Sequence, residues 1–574
     1  MFDLKTRDEF RKKEFYINMI TRILLILSVA AMFVVTLDSF NIIQIKSKTI
    51  KLISQICSIV TYVLLFANLI TKQIYFNKYK KQLINEYLEI LSNVQMPSQQ
   101  PKVIYVYTTH NDFMPSRLLQ NMQQTYKNIE YWISDGSSNE DVSKEIVEFA
   151  QKHNVNLFKM DKPSENKADN LNTFLKKSGA TFDFLLIGDA DVAFDKNLVK
   201  CNLRYFYSKK QKRLGYVSSM LQNYKTKNFF SNTLRFMENL SLFRKDINKV
   251  IKSRFSPNLY SACCLLSKEY LDDMGGFPEG CFEDGYLELN GSKKYWYGIV
   301  SPLTLSVQKF DENIKKYKVR QLRIIDWIIK YERTEAFRNL NQKFSSTYRE
   351  YFLNLFSGPI ILLSIILLPF AIMAIISFVP IFFSNYYYWI MLAVIVIGFV
   401  VLSSQVNKDS NDIMGKKNAF IFPFFLFLLF LSVWPQMIKH WFKAIILKKY
   451  STFKPTRSRD KNKKQESKIK PIIFDIFITI TSLIIVVISI VLFVINKWYE
   501  INWWMLLLFV SIVSIFGLIF LTYLSTIILY LLSFIENNKS YDDKDFVEYD
   551  NDYIKHTKIK DDFFDRNKNL DRFC

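Results

Sequence analysis

The chain has 574 residues, of which 50% are apolar and 16% aromatic, and a formal net charge of +23. It is too long for one ordinary hydrophobic core and too apolar in places to be wholly soluble. Its Lys and Arg residues flank apolar runs, where anionic lipid of the inner leaflet is the ordinary partner, so the charge points to membrane lipid and no nucleic-acid partner is expected.

The apolar residues gather in runs of about 20, the length that crosses a hydrocarbon core as helix. The first, Ile17 to Leu37, follows Lys5, Arg7, Arg11, Lys12 and Lys13. It is longer than a signal-peptide core and lacks a small-residue cleavage site, so it reads as retained. A second run, Leu52 to Ile70, completes an N-terminal pair of spans over residues 1–71, and residues 72–100 read as a linker.

Residues 101–331 are soluble in character and alternate between strand and helix patterns. The expected elements are a strand at Val103 to Tyr107, a helix around Arg117 to Gln124, a strand at Glu130 to Ile133 and a helix at Val142 to Lys152. They are followed by a strand at Leu157 to Met160, a helix at Lys167 to Lys177 and an apolar strand at Phe184 to Ile187. Such alternation predicts an α/β domain with a mostly parallel sheet, whose ligands sit beyond the carboxyl ends of the strands. Three polar groups fall at those ends: Thr108 to Asp112, Asp135, and the pair Asp189 and Asp191. The pattern places a nucleotide pocket near Asp135 and a divalent cation, Mg2+ or Mn2+, near Asp189 and Asp191, since hard oxygen ligands suit ions bound to phosphates. Asp-x-Asp recurs at Asp543 to Asp545 and Asp550 to Asp552 in the charged tail. Asp189-Ala190-Asp191 differs in following the buried-looking run Phe184-Leu185-Leu186-Ile187, although an acid capping the next turn would also fit there.

Beyond the insert, residues 332–354 place Phe337, Leu340, Phe344, Tyr348 and Phe352 at helical spacing among charged residues. That reads as an amphipathic helix at the inner membrane surface, with a plain packing helix as the alternative. Further apolar runs lie at Leu355 to Val379, Tyr387 to Ser403, Ala419 to Met437, Ile472 to Ile495 and Trp503 to Phe534. Seven spans would put the basic connection around residues 438–470 on the opposite side from the insert, against the positive-inside rule. Laying Ala419 to Met437 along the interface leaves six crossings and every basic segment inside; seven spans are the alternative. Residues 405–470 then form an interfacial helix and basic loop, residues 471–535 two C-terminal spans, and residues 536–574 a flexible charged tail. Six scattered cysteines lack metal-binding spacing and imply neither zinc nor disulfides.

Taken in order, these motifs resemble the family 2 glycosyltransferases, and in particular the processive membrane synthases of cellulose, chitin and hyaluronan. Asp135-Gly136-Ser137-Ser138 resembles the family's first Asp motif, and Lys167-Ala168-Asp169-Asn170-Leu171-Asn172 its Lys-Ala-x-Asn-Leu-Asn segment. Asp189-Ala190-Asp191 matches the metal motif, and Gly275-Gly276-Phe277 with Glu283-Asp284 the stretch that carries the general base. The resemblance covers roughly Lys102 to Trp327. It implies an A-type glycosyltransferase domain inserted in a multi-pass helical membrane region, a uridine diphosphate sugar donor and inversion at the anomeric carbon. The family's Gln-(Gln/Arg)-x-Arg-Trp motif is altered here to Arg320-Gln321-Leu322-Arg323-Ile324, with Trp327 one helical turn further on. Arg323 still offers a charge for the leaving diphosphate, while Ile324 lacks the aromatic face for an acceptor sugar. Phe453-Lys454-Pro455-Thr456-Arg457 loosely resembles the gating loop of cellulose synthases; a basic, lipid-facing loop would look the same.

The resemblance therefore implies metal ligands Asp189 and Asp191, a general base Asp284 with Glu283 behind it, and Arg323 at the diphosphate. It implies substrate-binding roles for Thr108, Asp135, Lys167, Asn170, Arg320, Gln321 and Trp327, and gating by Phe453, Thr456 and Arg457. Glu283 and Asp284 also fit a helix N-terminal cap. The expected activity is a UDP-hexose-dependent synthase, with UDP-glucose first, that elongates a polysaccharide acceptor on the cytosolic side of the plasma membrane. The alternatives are a non-processive enzyme that glycosylates lipid and a nucleotide-binding transporter or receptor.

Overall fold

A computed structural model describes residues 4–39, 45–208, 213–223, 228–234, 259–278, 283–308, 313–332, 386–398, 401, 421–449, 472–495 and 503–535. The expected span at Leu355 to Val379, the amphipathic helix beyond Glu332, the loop at Phe453 to Arg457 and the charged tail lie outside these residues. The chain divides into two compact units.

One unit comprises Met1–Asn85, Leu363–Ala419 and Thr481–Leu518. Its described elements are helix α1 (Leu4–Ser39), most of α2 (Lys48–Asn93), and α10 (Tyr386–Gly398). It also holds most of α12 (Ile473–Ile495) and the first half of α13 (Trp503–Leu532). Polar clasps join α1 to α2: Asn68 Nδ2 donates to Thr21 Oγ1 at 2.6 Å, and Lys72 Nζ to Asn18 Oδ1 at 2.6 Å. The Lys51–Asp38 ion pair at 2.8 Å closes the hairpin. Large apolar side chains such as Ile26, Val494 and Ile495 face outward, as a lipid-facing surface requires and a soluble one does not. Three described helical stretches are long and apolar enough to cross a membrane, Lys48–Tyr75, Ile473–Ile495 and Leu508–Leu532. The 23 residues of α12 span about 34 Å, slightly more than a hydrocarbon core. Phe15–Leu27 and Tyr386–Gly398 form shorter apolar helices.

The second unit holds Glu86–Leu362, Phe420–Ile480 and Ile519–Cys574. Its centre is an eight-stranded, mostly parallel sheet in the order β3-β2-β1-β4-β7-β6-β8-β5. β1 (Val103–Thr109) runs parallel to β2 (Ile129–Asp135) and β4 (Phe184–Gly188), and β2 parallel to β3 (Asn156–Lys159). β1 and β4 are buried along their whole length, which is why they read as unbroken apolar runs and not as alternating ones. β6 (Leu214–Asn223) and β8 (Tyr297–Gln308) are parallel to each other, while β7 (Cys263–Ser267) joins β4 to β6 antiparallel and β5 (Val192–Phe194) pairs antiparallel with β8.

Helices α3 (Pro115–Asn121), α4 (Glu140–His153), α5 (Lys167–Lys177), α6 (Leu198–Phe206), α7 (Lys268–Met274) and α8 (Glu283–Lys293) belong to the same unit. The side chains of Asn139, Asn166 and Ser267 cap α4, α5 and α7, satisfying amides that would otherwise be left open. Leu171 and Phe174 of α5 pack with Ile104, Val106, Leu185 and Ile187 in the sheet's core. Cys201 on α6 is disulfide-bonded, where the sequence implied no disulfide. Bridging depends on proximity in the fold, which scattered spacing along the chain does not reveal.

Helix α9 (Ile314–Glu332) packs on α11 (Ile421–Ile445) and the adjoining ends of α12 and α13, with Ile314, Phe425, Leu429, Ile472 and Leu529 in one apolar cluster. A buried lysine interrupts this cluster: Lys318 Nζ donates to Thr526 Oγ1 at 2.8 Å, and burial pulls its ammonium down to about 8. Because the cost of desolvating the ammonium offsets its hydrogen bond to Thr526 and the pull of the Asp475 carboxylate, Lys318→Met is expected to leave the unfolding temperature in detergent unchanged or higher. Lys318→Ala, which adds a cavity, is expected to lower it by roughly 1–3 °C, about 1–2 kcal/mol in a unit of this size.

Candidate active site

The register of the parallel strands decides where the polar residues meet. Thr109 lies opposite Asp135, and Tyr107 opposite Gly188, so β1, β2 and β4 end at one edge of the sheet and deliver their following loops there. Asp135 is buried at the end of β2. Its Oδ1 accepts from the Ser137 amide at 2.9 Å and its Oδ2 from Ser143 Oγ at 2.7 Å, so the carboxylate is built into the turn it starts. Asn111, with φ of 62°, staples the loop after β1 to this turn: its Oδ1 accepts from the amides of Ser138 and Asn139 at 3.0 and 2.8 Å. Thr108 is buried beside Ser134 in the same register.

The Asp189-Ala190-Asp191 turn is fixed from below by residues that carry no charge. Tyr107 donates its hydroxyl proton to the Ala190 carbonyl at 3.0 Å and accepts from the Met114 amide at 3.0 Å. Asn121, fully buried, donates to the Val192 carbonyl at 3.0 Å and accepts from the Phe194 amide at 2.7 Å. Asp112 accepts from the His110 amide at 2.8 Å and Thr109 Oγ1 at 3.0 Å. Burial, with the charges of Asp191 and Asp189 adding to it, pushes its carboxyl up to about 6.

Helix α5 bolts the edge together through three side chains. Its first residue, Lys167, pairs with the Asp189 carboxylate and donates to the Ser261 carbonyl at 2.8 Å. One turn on, Asn170 exchanges hydrogen bonds with Ser134, its amide Nδ2 donating to the Ser134 carbonyl at 3.2 Å. Asn172 grips the turn after α7, donating to the Phe277 carbonyl and accepting from the Phe277 amide, both at 2.8 Å. That turn needs glycine, because Gly275 and Gly276 have φ of 75° and 96°. The expectation that Asn170 touches substrate is thus joined by a second role, since its amide supports the strand that carries Asp135.

Glu283 and Asp284 open α8. Glu283 is buried and accepts from Ser261 Oγ at 3.0 Å, while Asp284 Oδ1 accepts from the Gly285 amide at 2.7 Å. Burial and then the neighbouring Glu283 push the Asp284 carboxyl up to about 7, with Lys167 pulling the other way. Burial alone would lower the Lys167 ammonium, but Asp189, Glu283 and Asp284 outweigh it and hold it above the ordinary lysine range. Lys167 therefore lies electrostatically between the Asp189 turn and the acids of α8. The nearby thiols of Cys263 and Cys264 are fully buried; burial pushes Cys263 up to about 12 and Cys264 further, so neither is a nucleophile near neutral pH.

Residues 98–275 match the family model described as Glycosyl transferase family 2. The chain carries a glycosyltransferase family 2 domain. The matched stretch includes Thr108, Asp135, Lys167, Asn170, Asp189 and Asp191, and ends at Gly275, before Glu283, Asp284 and α9. Among solved structures, the chain is similar to the mannosyltransferase PcManGT from Pyrobaculum calidifontis in complex with GDP-Man and Mn2+, at 17% identity and a TM-score of 0.34, over 58% of this chain and 99% of that one. It is also similar to residues 1–349 of TarS from S. aureus in complex with UDP-GlcNAc, at 15% identity and a TM-score of 0.29, over 45% of this chain and 73% of that one. A third similar structure is GalNAc-T7 with UDP, GalNAc and Mn2+, at 10% identity and a TM-score of 0.28, over 37% of this chain and 45% of that one. No curated protein matches the chain.

Arg320, Gln321, Arg323 and Trp327 lie on α9, where the Arg320 guanidinium sits 5.8 Å from the Tyr317 ring centroid. Phe453, Thr456 and Arg457 lie outside the described residues. Among the described residues no three His, Cys, Asp or Glu side chains converge on one point. Asp189 and Asp191 nonetheless suit a hard cation in the glycosyltransferase domain. Their donors are carboxylate oxygens, phosphate and water can complete such an ion's shell, and an ammonium already stands on Asp189 as a stand-in cation. Sequence reasoning missed Tyr107, Asn121 and Ser261. The first two carried a faint signal, a phenol inside an apolar strand and an amide beside an apolar helix face, while Ser261 acts partly through its carbonyl and has none.

Proposed function

We propose that this edge transfers a hexose from a uridine diphosphate sugar to a hydroxyl acceptor, with inversion, and that the chain elongates a polysaccharide and exports it. The observation that carries the reading is the Lys167 ammonium against Asp189 with Glu283 and Asp284 in its field, at the carboxyl edge of a glycosyltransferase family 2 domain. In this reading Asp135 and Thr108 line the nucleotide pocket and Asn170 supports it. Asp189 and Asp191 hold Mg2+ or Mn2+, which when bound supplies positive charge at the departing diphosphate. Lys167 faces the same phosphates, Arg323 and Arg320 add charge from α9, and Gln321 offers a neutral hydrogen-bonding amide.

Asp284 accepts the proton of the attacking hydroxyl; the acceptor oxygen bonds to the anomeric carbon as the carbon–oxygen bond to phosphate breaks, and uridine diphosphate leaves with that electron pair. Asp284 does this only when ionised. With its carboxyl pushed up to about 7, kcat is expected to rise about tenfold per pH unit below that point and to level off above it. A rate flat between about pH 5 and 8 would contradict the assignment.

Export rests on the membrane-length helices and on the seven apolar runs. The proposed setting is the plasma membrane, with the domain cytosolic, lipid around the spans, and UDP-glucose as the first donor to try. Trp327, Phe453, Thr456 and Arg457 are proposed acceptor and gating residues on sequence grounds alone. One observation favours a second reading, a non-processive enzyme acting on lipid: Ile324 stands where processive relatives have the acceptor-stacking Trp. The test is to incubate the reconstituted protein with radiolabelled UDP-sugars and Mg2+ or Mn2+ and to size the product. High-molecular-weight label supports synthesis of a polymer, and label confined to solvent-extractable lipid selects the second reading.

A further inference from the structure

The position of Lys167 raises a conflict that its nucleotide-facing role does not resolve. Its ammonium is paired with Asp189 Oδ1, an oxygen of a proposed metal ligand, and is steadied there by the Ser261 carbonyl at 2.8 Å. An ammonium and a dication on one carboxylate oxygen repel each other, and because the dication is held there more strongly, the ammonium is the one that yields.

The helix beneath Lys167 is not free to withdraw. Asn170 ties α5 to Ser134, and Asn172 ties it to Phe277 on the other side. The side chain, by contrast, has a flexible four-carbon stem. It also has somewhere to go, since Glu283 and Asp284 both lie within its electrostatic reach. The arrangement is therefore a fixed post carrying one flexible cation.

We propose that Lys167 is a built-in counter-ion that occupies the cation position of Asp189 until a divalent ion arrives with the donor, so that metal binding requires the ammonium to leave. This rests on the reading that Asp189 and Asp191 take the metal. Two consequences follow from mutual exclusion. Without donor the site binds metal weakly, because the ion must displace an internal cation. With donor the diphosphate receives the displaced ammonium, so donor and metal each raise the other's affinity, as linkage demands.

The test is a titration of purified full-length protein in detergent with Mn2+, following free Mn2+ by electron paramagnetic resonance, without and with UDP. Without UDP, Lys167→Met and Lys167→Gln are expected to bind Mn2+ at least tenfold more tightly than wild type. Lys167→Arg is expected to stay as weak as wild type, because it returns a cation to Asp189. Lys268→Met, which removes an exposed lysine paired with Asp272, is expected to shift Mn2+ affinity less than twofold, which separates local displacement from a change in overall charge. UDP is expected to tighten Mn2+ in wild type and to do so much less in Lys167→Met. If wild type binds Mn2+ with UDP while both neutral variants bind it no more tightly without UDP, the proposal is overturned and the metal reading stands. If Mn2+ binds to none of the proteins even with UDP, or if Asp189→Asn leaves binding intact, the metal reading fails and takes the proposal with it.

Discussion

Asp284→Asn is expected to lower sugar transfer by about 10²–10⁴-fold, the usual contribution of a positioned general base, while leaving UDP affinity within about twofold of wild type. The substitution is chosen because it separates the two roles open to an acid at this place. As a helix cap, Asp284 acts through Oδ1, which accepts from the Gly285 amide at 2.7 Å. Asparagine caps helices about as well as aspartate, so the start of α8 survives the change. As a base, Asp284 needs a carboxylate, which asparagine lacks. Loss of turnover with an unchanged unfolding temperature and intact UDP binding, measured by calorimetry, therefore identifies the base. Turnover near the wild-type rate would assign Asp284 to capping alone.

The second large effect is expected from the smallest change, Gly136→Ala. A Cβ at this position would lie 2.2 Å from Ser164 Oγ, 2.8 Å from Ser164 Cβ and 2.9 Å from Asn170 Nδ2. Neither neighbour can give way easily. The Ser164 amide donates to the Gly136 carbonyl at 3.1 Å, and the Asn170 amide is held by Ser134. Overpacking of this kind costs about 1–3 kcal/mol. The displacement falls on the turn that carries Asp135 and Ser137, so UDP affinity is expected to fall by about tenfold or more, a loss of roughly that energy. The check is a UDP titration alongside thermal unfolding, with Ser164→Gly in the Gly136→Ala background expected to recover much of both. Unchanged UDP affinity in Gly136→Ala would place the nucleotide away from Asp135.

The parallel half of the sheet was legible because its physics is local. β1 and β4 are buried throughout and so appear as short apolar runs, and α5 begins and ends at the expected Lys167 and Lys177 because Asn166 caps it and the Leu171–Phe174 face is apolar. The acidic positions followed from the strand ends, where parallel topology brings loops together. The other half was not legible. β6, β7 and β8 meet β4 and β5 through pairings between distant parts of the chain, which no local pattern encodes.

The site divides in the same way. Asp135, Asp189, Asp191 and Asp284 announced themselves as acids in a telling place. Of these, Asp284 was reached only through the resemblance to the family's general-base stretch, and what each acid does to its neighbours was invisible, because hydrogen bonds such as Asn172 to Phe277 and Tyr107 to Ala190 join residues 105 and 83 positions apart. The pairing of Lys167 with Asp189 is of the same kind, and it changes the reading most: a residue expected to face only the nucleotide also stands on the proposed metal position.

The most direct measurement is a cryo-electron microscopy map of the full chain in lipid nanodiscs with Mn2+ and a non-hydrolysable phosphonate analogue of UDP-glucose. The account predicts uridine density at Asp135, a metal peak at Asp189 and Asp191 with the Lys167 side chain swung off Asp189, and the sugar's anomeric carbon presented toward Asp284. Nucleotide density away from the carboxyl edge of the β1, β2 and β4 strands, or a sugar turned away from Asp284, would contradict it.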